Sequence, residues 1–105
     1  MTDKPVPIDL NAHLAMINGA REFLRVWMRP DGATASFINP VPVGADPAAF
    51  GAALVDCIRQ GAKAYARAVN IDEEDALHRI WQGVEAERHR PTDSPVQIVR
   101  RPEEN

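Results

Sequence analysis

The segment EFLRVWMRPDGATASFI, residues 22–38, constrains the fold of this chain most strongly. Its centre, Arg29-Pro30-Asp31-Gly32, has the residue types of a type I turn that is followed by a glycine bulge. Proline sets φ at the second turn position, aspartate tolerates the third, and glycine accepts the left-handed conformation. Because strand-forming residues flank the turn on both sides, the segment is predicted to be a β-hairpin.

The turn also predicts which residues of the hairpin face each other. If Gly32 forms the bulge, Arg29 lies opposite Ala33, and pairing continues outward from there. The predicted pairs are Met28/Thr34, Trp27/Ala35, Val26/Ser36, Arg25/Phe37 and Leu24/Ile38.

Alternating side chains divide this hairpin into two faces, and neither is suited to water. The aliphatic face carries Leu24, Val26, Met28 and Ile38. The aromatic–arginine face carries Phe23, Arg25, Trp27, Arg29 and Phe37. Since a two-stranded hairpin is marginal by itself, we expect helices to cover the aliphatic face and a second copy of the chain to cover the aromatic–arginine face. The opposite assignment remains an open alternative.

A long amphipathic helix is predicted after the proline-containing loop NPVPVGADP. Asp46 is a suitable N-cap, and Pro47 suits the first helical position. Apolar residues then repeat at three- and four-residue steps over about 22 residues. These residues are Phe50, Leu54, Cys57, Ile58, Gly61, Tyr65 and Val69. Within this pattern Cys57 is predicted to be buried and unreactive.

A second helix is predicted to follow at once. Asn70 suits a left-handed position that ends the first helix, and Asp72 begins the second helix with three further acidic residues at its positive end. The helix is expected to end by Pro91. Because the connection is so short, the helices are predicted to form an antiparallel hairpin. This arrangement would bring Gly61 opposite Trp81, whose ring we expect to occupy the space left by the missing side chain.

The chain of 105 residues is long enough for one domain. We predict an N-terminal arm over residues 1–20, partly mobile, in which NAHLAMINGA forms a short helical turn capped by Asn11. A single domain is predicted over residues 21–94, followed by a C-terminal segment and tail over 95–105. The predicted fold class is α+β with the order β-β-α-α, and the stretch SPVQIVRR could add a short C-terminal strand.

Composition excludes several classes of function. A net charge of −3 and a pI near 5.5 disfavour nucleic-acid binding, which usually needs a basic surface. Apolar runs are too short for a membrane span, and the N-terminus has no signal-peptide core, so we expect a cytoplasmic protein. A lone cysteine permits neither an internal disulfide nor a thiolate metal cluster.

Catalytic and metal-binding patterns are weak throughout. Asp75 and His78 lie three residues apart on one predicted helix, but two ligands do not make a metal site, and Asp75 is explained by its place at a helix start. No nucleophile elbow or glycine-rich phosphate loop occurs. We therefore expect no metal, no cofactor and no catalytic activity.

Several segments together resemble a known family. LRVWMRPDG, the SF before the proline loop, the helix ADPAAFGAALVDCIRQGAKAYA and the closing AERHRPTD are similar to a family of small bacterial proteins known as domain of unknown function 5076. The resemblance covers residues 22–94. It implies the order of a hairpin followed by helices and carries no residue role.

The residues favour an interaction module over an enzyme. Tryptophan and arginine are common at protein–protein hot spots, so the aromatic–arginine face predicts a homodimer, with another protein partner as an open alternative. The competing hypothesis is a small-ligand or single-stranded nucleic-acid site on the same face, where rings would stack on bases and arginines would hold phosphates.

Overall fold

The computed structural model describes residues 3–90, and its elements follow the predicted order. A short 3-10 helix, Asn11–His13, precedes the two strands and the two helices. These are β1 (Leu24–Met28), β2 (Thr34–Ile38), α1 (Pro47–Val69) and α2 (Glu73–Arg88). The strands form one antiparallel sheet, which confirms the predicted α+β class with the order β-β-α-α. The predicted C-terminal strand lies outside the described residues.

The chain divides into two compact units, a hairpin unit, Met1–Phe50, and a helical unit, Gly51–Asn105. The hairpin unit contains the 3-10 helix, both strands and the first turn of α1. The helical unit contains the rest of α1 and all of α2. The prediction of one domain over residues 21–94 stays a prediction.

The turn between the strands has the predicted form. The Gly32 N–H donates to the Arg29 carbonyl at 2.9 Å, and the Arg29 N–H donates to the Ala33 carbonyl at 2.8 Å. Gly32 has a φ of 87°, which a residue with a side chain rarely adopts. An Asp31 side-chain oxygen also accepts a hydrogen bond from the Ala33 N–H at 3.0 Å. The five predicted cross-strand pairs are all confirmed.

The N-terminal segment is capped differently from the prediction. Asn11 is the first residue of the 3-10 helix and not its cap, and the N-cap residue Leu10 makes no side-chain hydrogen bond. The Asn11 N–H donates to the Asp9 Oδ1 atom at 2.9 Å. Gly19 has a φ of 77° after the turns that follow the 3-10 helix. Most large apolar side chains of this segment are exposed, namely Val6, Ile8, Leu10, Leu14, Met16 and Ile17. The predicted mobility of residues 1–20 stays a prediction.

Both helices begin and end at the predicted residues. The Asp46 side chain accepts a hydrogen bond from the Ala48 N–H at 3.0 Å at the start of α1, which is 23 residues long. Asn70 follows α1 with a φ of 56°, the left-handed conformation expected there. The Asp72 side chain then accepts from the Asp75 N–H at 3.1 Å at the start of α2. Local capping chemistry therefore sets these boundaries.

Two contacts join α1 and α2. The Lys63 Nζ atom lies 3.0 Å from the Glu73 Oε2 atom. Further from the connection, a methyl group on Gly61 would lie 3.7 Å from the Ile80 Cδ1 atom. The antiparallel packing of the two helices stays a prediction.

Two predictions about the helical unit are wrong. The neighbour of Gly61 is Ile80, while Trp81 is exposed. Cys57 is exposed as well, although its pattern predicted burial. It lies about 100° around the helix from Ile58, at the margin of the apolar stripe, and no described residue covers that margin. Among residues 3–90 only Ala62 and Ala76 are buried.

Candidate functional site

Three aromatic side chains of the predicted face lie on the hairpin at different depths. Phe23 and Trp27 are half-buried, whereas Phe37 is 63% exposed. The Phe23 ring packs edge-to-face against Phe50 in the first turn of α1, with 6.0 Å between ring centroids and 81° between ring planes. This is a favourable geometry for aromatic rings. This contact holds the Phe23 ring at the start of the aromatic–arginine face and leaves Phe37 exposed.

A groove of about 420 Å³ lies where these rings converge. Its lining includes four of the five predicted residues and four that were not predicted. The complete lining is Glu22, Phe23, Leu24, Arg25, Trp27, Phe37, Ile38 and Asn39. The structure thus brings the three rings and Arg25 together, while Arg29 lies outside the groove lining, at the turn.

Arg25 is held by a carboxylate. Its Nε donates to the Glu22 Oε2 atom at 3.0 Å, and its second guanidinium nitrogen bonds the other carboxylate oxygen. The hydrogen bond from Arg25 lowers the pKa of Glu22, and the same bond raises the pKa of Arg25. Because both oxygens and two nitrogens of the pair are engaged, the groove presents a compensated ion pair and not a free cation.

Arg29 has a carboxylate partner of its own. Its Nη2 atom lies 3.6 Å from the Asp31 Oδ2 atom within the turn. Sequence reasoning selected both arginines but missed Glu22 and Asp31 as their partners. The signal was present, since Glu22 and Arg25 are three residues apart and Asp31 is part of the turn that begins at Arg29.

The aliphatic face of the hairpin is largely exposed. Its side chains were expected to lie beneath the helices, yet Val26 is 51% exposed, Met28 is 71% exposed and Ile38 is 53% exposed. Only Leu24 is half-buried. Cross-strand pairing satisfies the backbone of a hairpin without burying either of its faces, and which face the helices cover stays a prediction.

A smaller pocket, of about 200 Å³, lies on the helical unit, and the candidate metal ligand Asp75 is not part of its lining. The Asp75 carboxylate lies 3.4 Å from the Arg79 guanidinium, so the carboxylate of the predicted Asp75/His78 pair has a cation beside it. No group of three or more His, Cys, Asp or Glu side chains within residues 3–90 could hold a metal ion. In the same part of the chain, neither helix is long and apolar enough to cross a membrane.

Comparison with known proteins gives a structural neighbour and a family. The chain is similar to a solved structure described as a candidate pyruvate dehydrogenase from the photosynthetic bacterium Rhodopseudomonas palustrus CGA009. The two share 31% sequence identity with a TM-score of 0.61, over 95% of this chain and 98% of that chain. No curated protein matches the sequence.

The family match extends further toward the N-terminus than the resemblance predicted. The model of the domain of unknown function DUF5076 matches residues 8–92, whereas the resemblance was predicted over residues 22–94. The match includes the 3-10 helix, both strands and both helices. The chain therefore belongs to the DUF5076 family.

Proposed function

We propose that the chain is a small interaction module that forms a homodimer through its hairpin. The observation that carries this proposal is that both faces of the hairpin expose large apolar side chains. Val26, Met28 and Ile38 on the aliphatic face and Phe37 on the aromatic–arginine face are all more than half exposed. Contiguous apolar surface of this kind marks interaction sites, and a two-stranded sheet needs further packing to be stable.

The charges of the hairpin support a second copy as the partner. Residues 22–39 contain two acids, Glu22 and Asp31, and two bases, Arg25 and Arg29, so their charges cancel. A surface with both signs can meet its own copy across a two-fold axis without like-charge repulsion. A nucleic-acid backbone would instead require uncompensated positive charge, and both arginines have carboxylate partners.

The proposal assigns the chain no catalytic step and places it in the cytoplasm. A single exposed cysteine is compatible with a reducing compartment, where thiols stay unpaired. The name of the Rhodopseudomonas protein attaches no residue to a reaction, so the proposal rests on the hairpin. A different protein partner is the alternative outcome, and it requires the purified chain to be monomeric.

Analytical ultracentrifugation of the purified chain at micromolar concentration tests the proposal directly. We expect a mass of twice 11.6 kDa. Ile38→Glu should return the protein to the mass of one chain, because it places a charge in the proposed interface at a side chain that is 53% exposed. Val69→Glu is the matched control, since Val69 is comparably exposed but lies in the helical unit. A monomeric parent protein would overturn the proposal.

A second candidate function is binding of a flat aromatic molecule in the groove. Its volume of about 420 Å³ lies within the range of small-molecule sites, and three rings line it. Trp27 would report binding by fluorescence after Trp81→Phe removes the other tryptophan. Saturable quenching by a naphthalene carboxylate that Phe37→Ala abolishes would support this function. Titration without saturation would exclude it for this ligand class.

A further inference from the structure

The outer edge of β2 has a defined set of outward-pointing backbone groups. At the two ends of the hairpin, the Asn39 N–H donates to the Phe23 carbonyl at 2.9 Å and the Arg29 N–H donates to the Ala33 carbonyl at 2.8 Å. Hydrogen-bonded pairs alternate along an antiparallel ladder. The bonded pairs are therefore Phe23/Asn39, Arg25/Phe37, Trp27/Ala35 and Arg29/Ala33. It follows that Thr34, Ser36 and Ile38 point their N–H and C=O groups away from β1.

This edge is open in the part of the chain that the structure describes. The sheet has two strands, so no described strand lies beyond β2. No loop or side chain within residues 3–90 bonds the outward N–H and C=O groups of Thr34, Ser36 and Ile38. Three donors and three acceptors are thus presented along one short strand.

The sequence of β2 carries none of the usual protection of an exposed edge. Natural edge strands avoid pairing with other chains by means of charged residues, prolines or bulges. β2 reads Thr-Ala-Ser-Phe-Ile, with no charge and no proline, and two of its residues are β-branched. β1 is different because Arg25 lies within it and Arg29 follows it. β2 is therefore the edge that is suited to pairing.

We propose that β2 pairs antiparallel with β2 of a second copy about a two-fold axis at Ser36, which makes a four-stranded sheet. This inference rests on the proposed homodimer and specifies its interface. Ser36 is the middle one of the three outward-facing residues, so only this centre pairs all of their N–H and C=O groups. In this register Thr34 lies opposite the partner's Ile38, and Phe37 lies opposite the partner's Ala35, which places a large ring beside a small side chain.

The pairing extends both faces of the hairpin across two copies and buries the backbone of the edge, not the faces themselves. A four-stranded sheet joins the aliphatic faces of both copies into one continuous surface. It is also more stable than a two-stranded hairpin, which is only marginally stable in water. An identical strand suits the edge because it is uncharged and because two-fold symmetry satisfies both copies alike. The chain's own residues 91–105 are the competing occupant, and the experiment distinguishes the two.

Disulfide trapping tests the register. In a Cys57→Ser background, which removes the only cysteine, Ser36→Cys should place two thiols on the two-fold axis. Their Cα atoms would be about 5.5 Å apart, within the range that a disulfide spans. Thr34→Cys is the matched control on the same edge, because four residues of strand rise separate it from its own copy by about 13 Å. We expect mild oxidation to convert only Ser36→Cys into a covalent dimer.

The outcomes separate this inference from the proposed function. A dimer in the ultracentrifuge without trapping at Ser36→Cys would overturn the register and leave the homodimer standing. Equal trapping of Thr34→Cys would overturn the register as well. A monomeric full-length chain would overturn both proposals, and if deletion of residues 91–105 then produced a dimer, the chain's own C-terminal segment would be the occupant of the edge.

A proline pair provides a second measurement that does not depend on thiol chemistry. The Ser36 N–H points away from β1, so Ser36→Pro removes no bond of the hairpin but removes a donor at the centre of the proposed pairing. Ala35→Pro removes a bond to β1 instead. We expect Ser36→Pro to halve the mass and retain the circular dichroism of the hairpin, whereas Ala35→Pro should lose the hairpin signal. A Ser36→Pro protein that remains dimeric would contradict the pairing.

Discussion

The hairpin unit and the helical unit differ in what they bury. Among residues 3–50 no side chain is fully buried, although this part of the chain contains all three phenylalanines and Trp27. The described part of the helical unit buries two small residues, Ala62 and Ala76, near the place where Gly61 meets Ile80. No large apolar side chain of residues 3–90 is fully buried in either unit, and the most exposed ones lie in the hairpin unit.

The comparison shows that secondary structure and burial have separate causes in this chain. The hairpin is formed by a turn and a backbone ladder that need no neighbour, whereas the described part of the helical unit buries two small side chains, Ala62 and Ala76. We infer that the hairpin gains its missing burial from a second copy.

Trp27→Ala should have the largest effect. A tryptophan anchor at an interface costs about 2 kcal/mol or more when it is removed, which corresponds to a roughly 30-fold weaker dimer in sedimentation equilibrium. Trp81→Ala is the matched control, because it removes the same side chain from the helical unit. An equal loss of dimer with Trp81→Ala would move the interface away from the hairpin.

Gly61→Leu tests the close approach of the two helices. A methyl group at this position would lie 3.7 Å from Ile80, an ordinary contact distance, whereas a leucine side chain would not fit without moving its neighbour. We expect Gly61→Leu to lower the free energy of unfolding by about 1–3 kcal/mol in denaturant titration.

Gly61→Ala gives the opposite sign and serves as the control. Alanine should raise the free energy of unfolding by up to about 1 kcal/mol, because glycine inside a helix costs that amount. A leucine variant as stable as the parent protein would show that the helices separate at this point.

Asp72→Ala should have an effect confined to the helical unit. The Asp72 side chain caps α2 by accepting the Asp75 N–H, and loss of such a cap costs about 1 kcal/mol. Asp56→Ala removes an exposed carboxylate from the middle of α1 and should leave thermal stability nearly unchanged. Equal effects of the two changes would mean that charge, and not capping, is what Asp72 contributes.

The smallest effect on stability is expected from loss of the Glu22–Arg25 ion pair of the hairpin. Because the hydrogen bond from Arg25 lowers the pKa of Glu22 in the folded protein, the pair stabilises the fold at neutral pH. This contribution is lost in acid, as the pH falls through the lowered pKa of Glu22. It is small because both groups are solvent-exposed.

An NMR titration of the Glu22 carboxyl checks this assignment. We expect Arg25→Gln to return the pKa of Glu22 to its ordinary range, because it removes the hydrogen bond that lowers this pKa. Arg29→Gln is the control and should leave the pKa of Glu22 unchanged, since Arg29 lies beside Asp31. A Glu22 pKa that does not respond to Arg25→Gln would contradict the pairing.

Much of the fold could be predicted from local chemistry. The register of the strands followed from Gly32, and the helix boundaries followed from Asp46, Asn70 and Asp72. Each of these residues acts on backbone groups within a few positions of itself, so its effect can be predicted from the adjacent residues in the sequence. The candidate site was partly predictable for the same reason, since strand alternation places Phe23, Arg25, Trp27, Arg29 and Phe37 on one face.

Contacts between residues far apart in the sequence could not be read in this way. Periodicity placed Gly61 and Cys57 in one apolar stripe, but it did not say that Ile80 meets Gly61 or that Cys57 is exposed. The carboxylate partners of both arginines are a different case, because Glu22 and Asp31 lie within three residues of Arg25 and Arg29 and could have been found from sequence spacing.

The sequence by itself determined the hairpin, its register, the helix limits and their order, because turns, caps and ladders depend on residues close together in the chain. Only the tertiary structure decided that Ile80 lies beside Gly61 and that the side chains of both hairpin faces remain exposed. Burial requires a surface from a distant segment or another molecule, and no local pattern specifies that surface. For the same reason the outer edge of β2 could be proposed as an interaction site only once the neighbours of each strand were known.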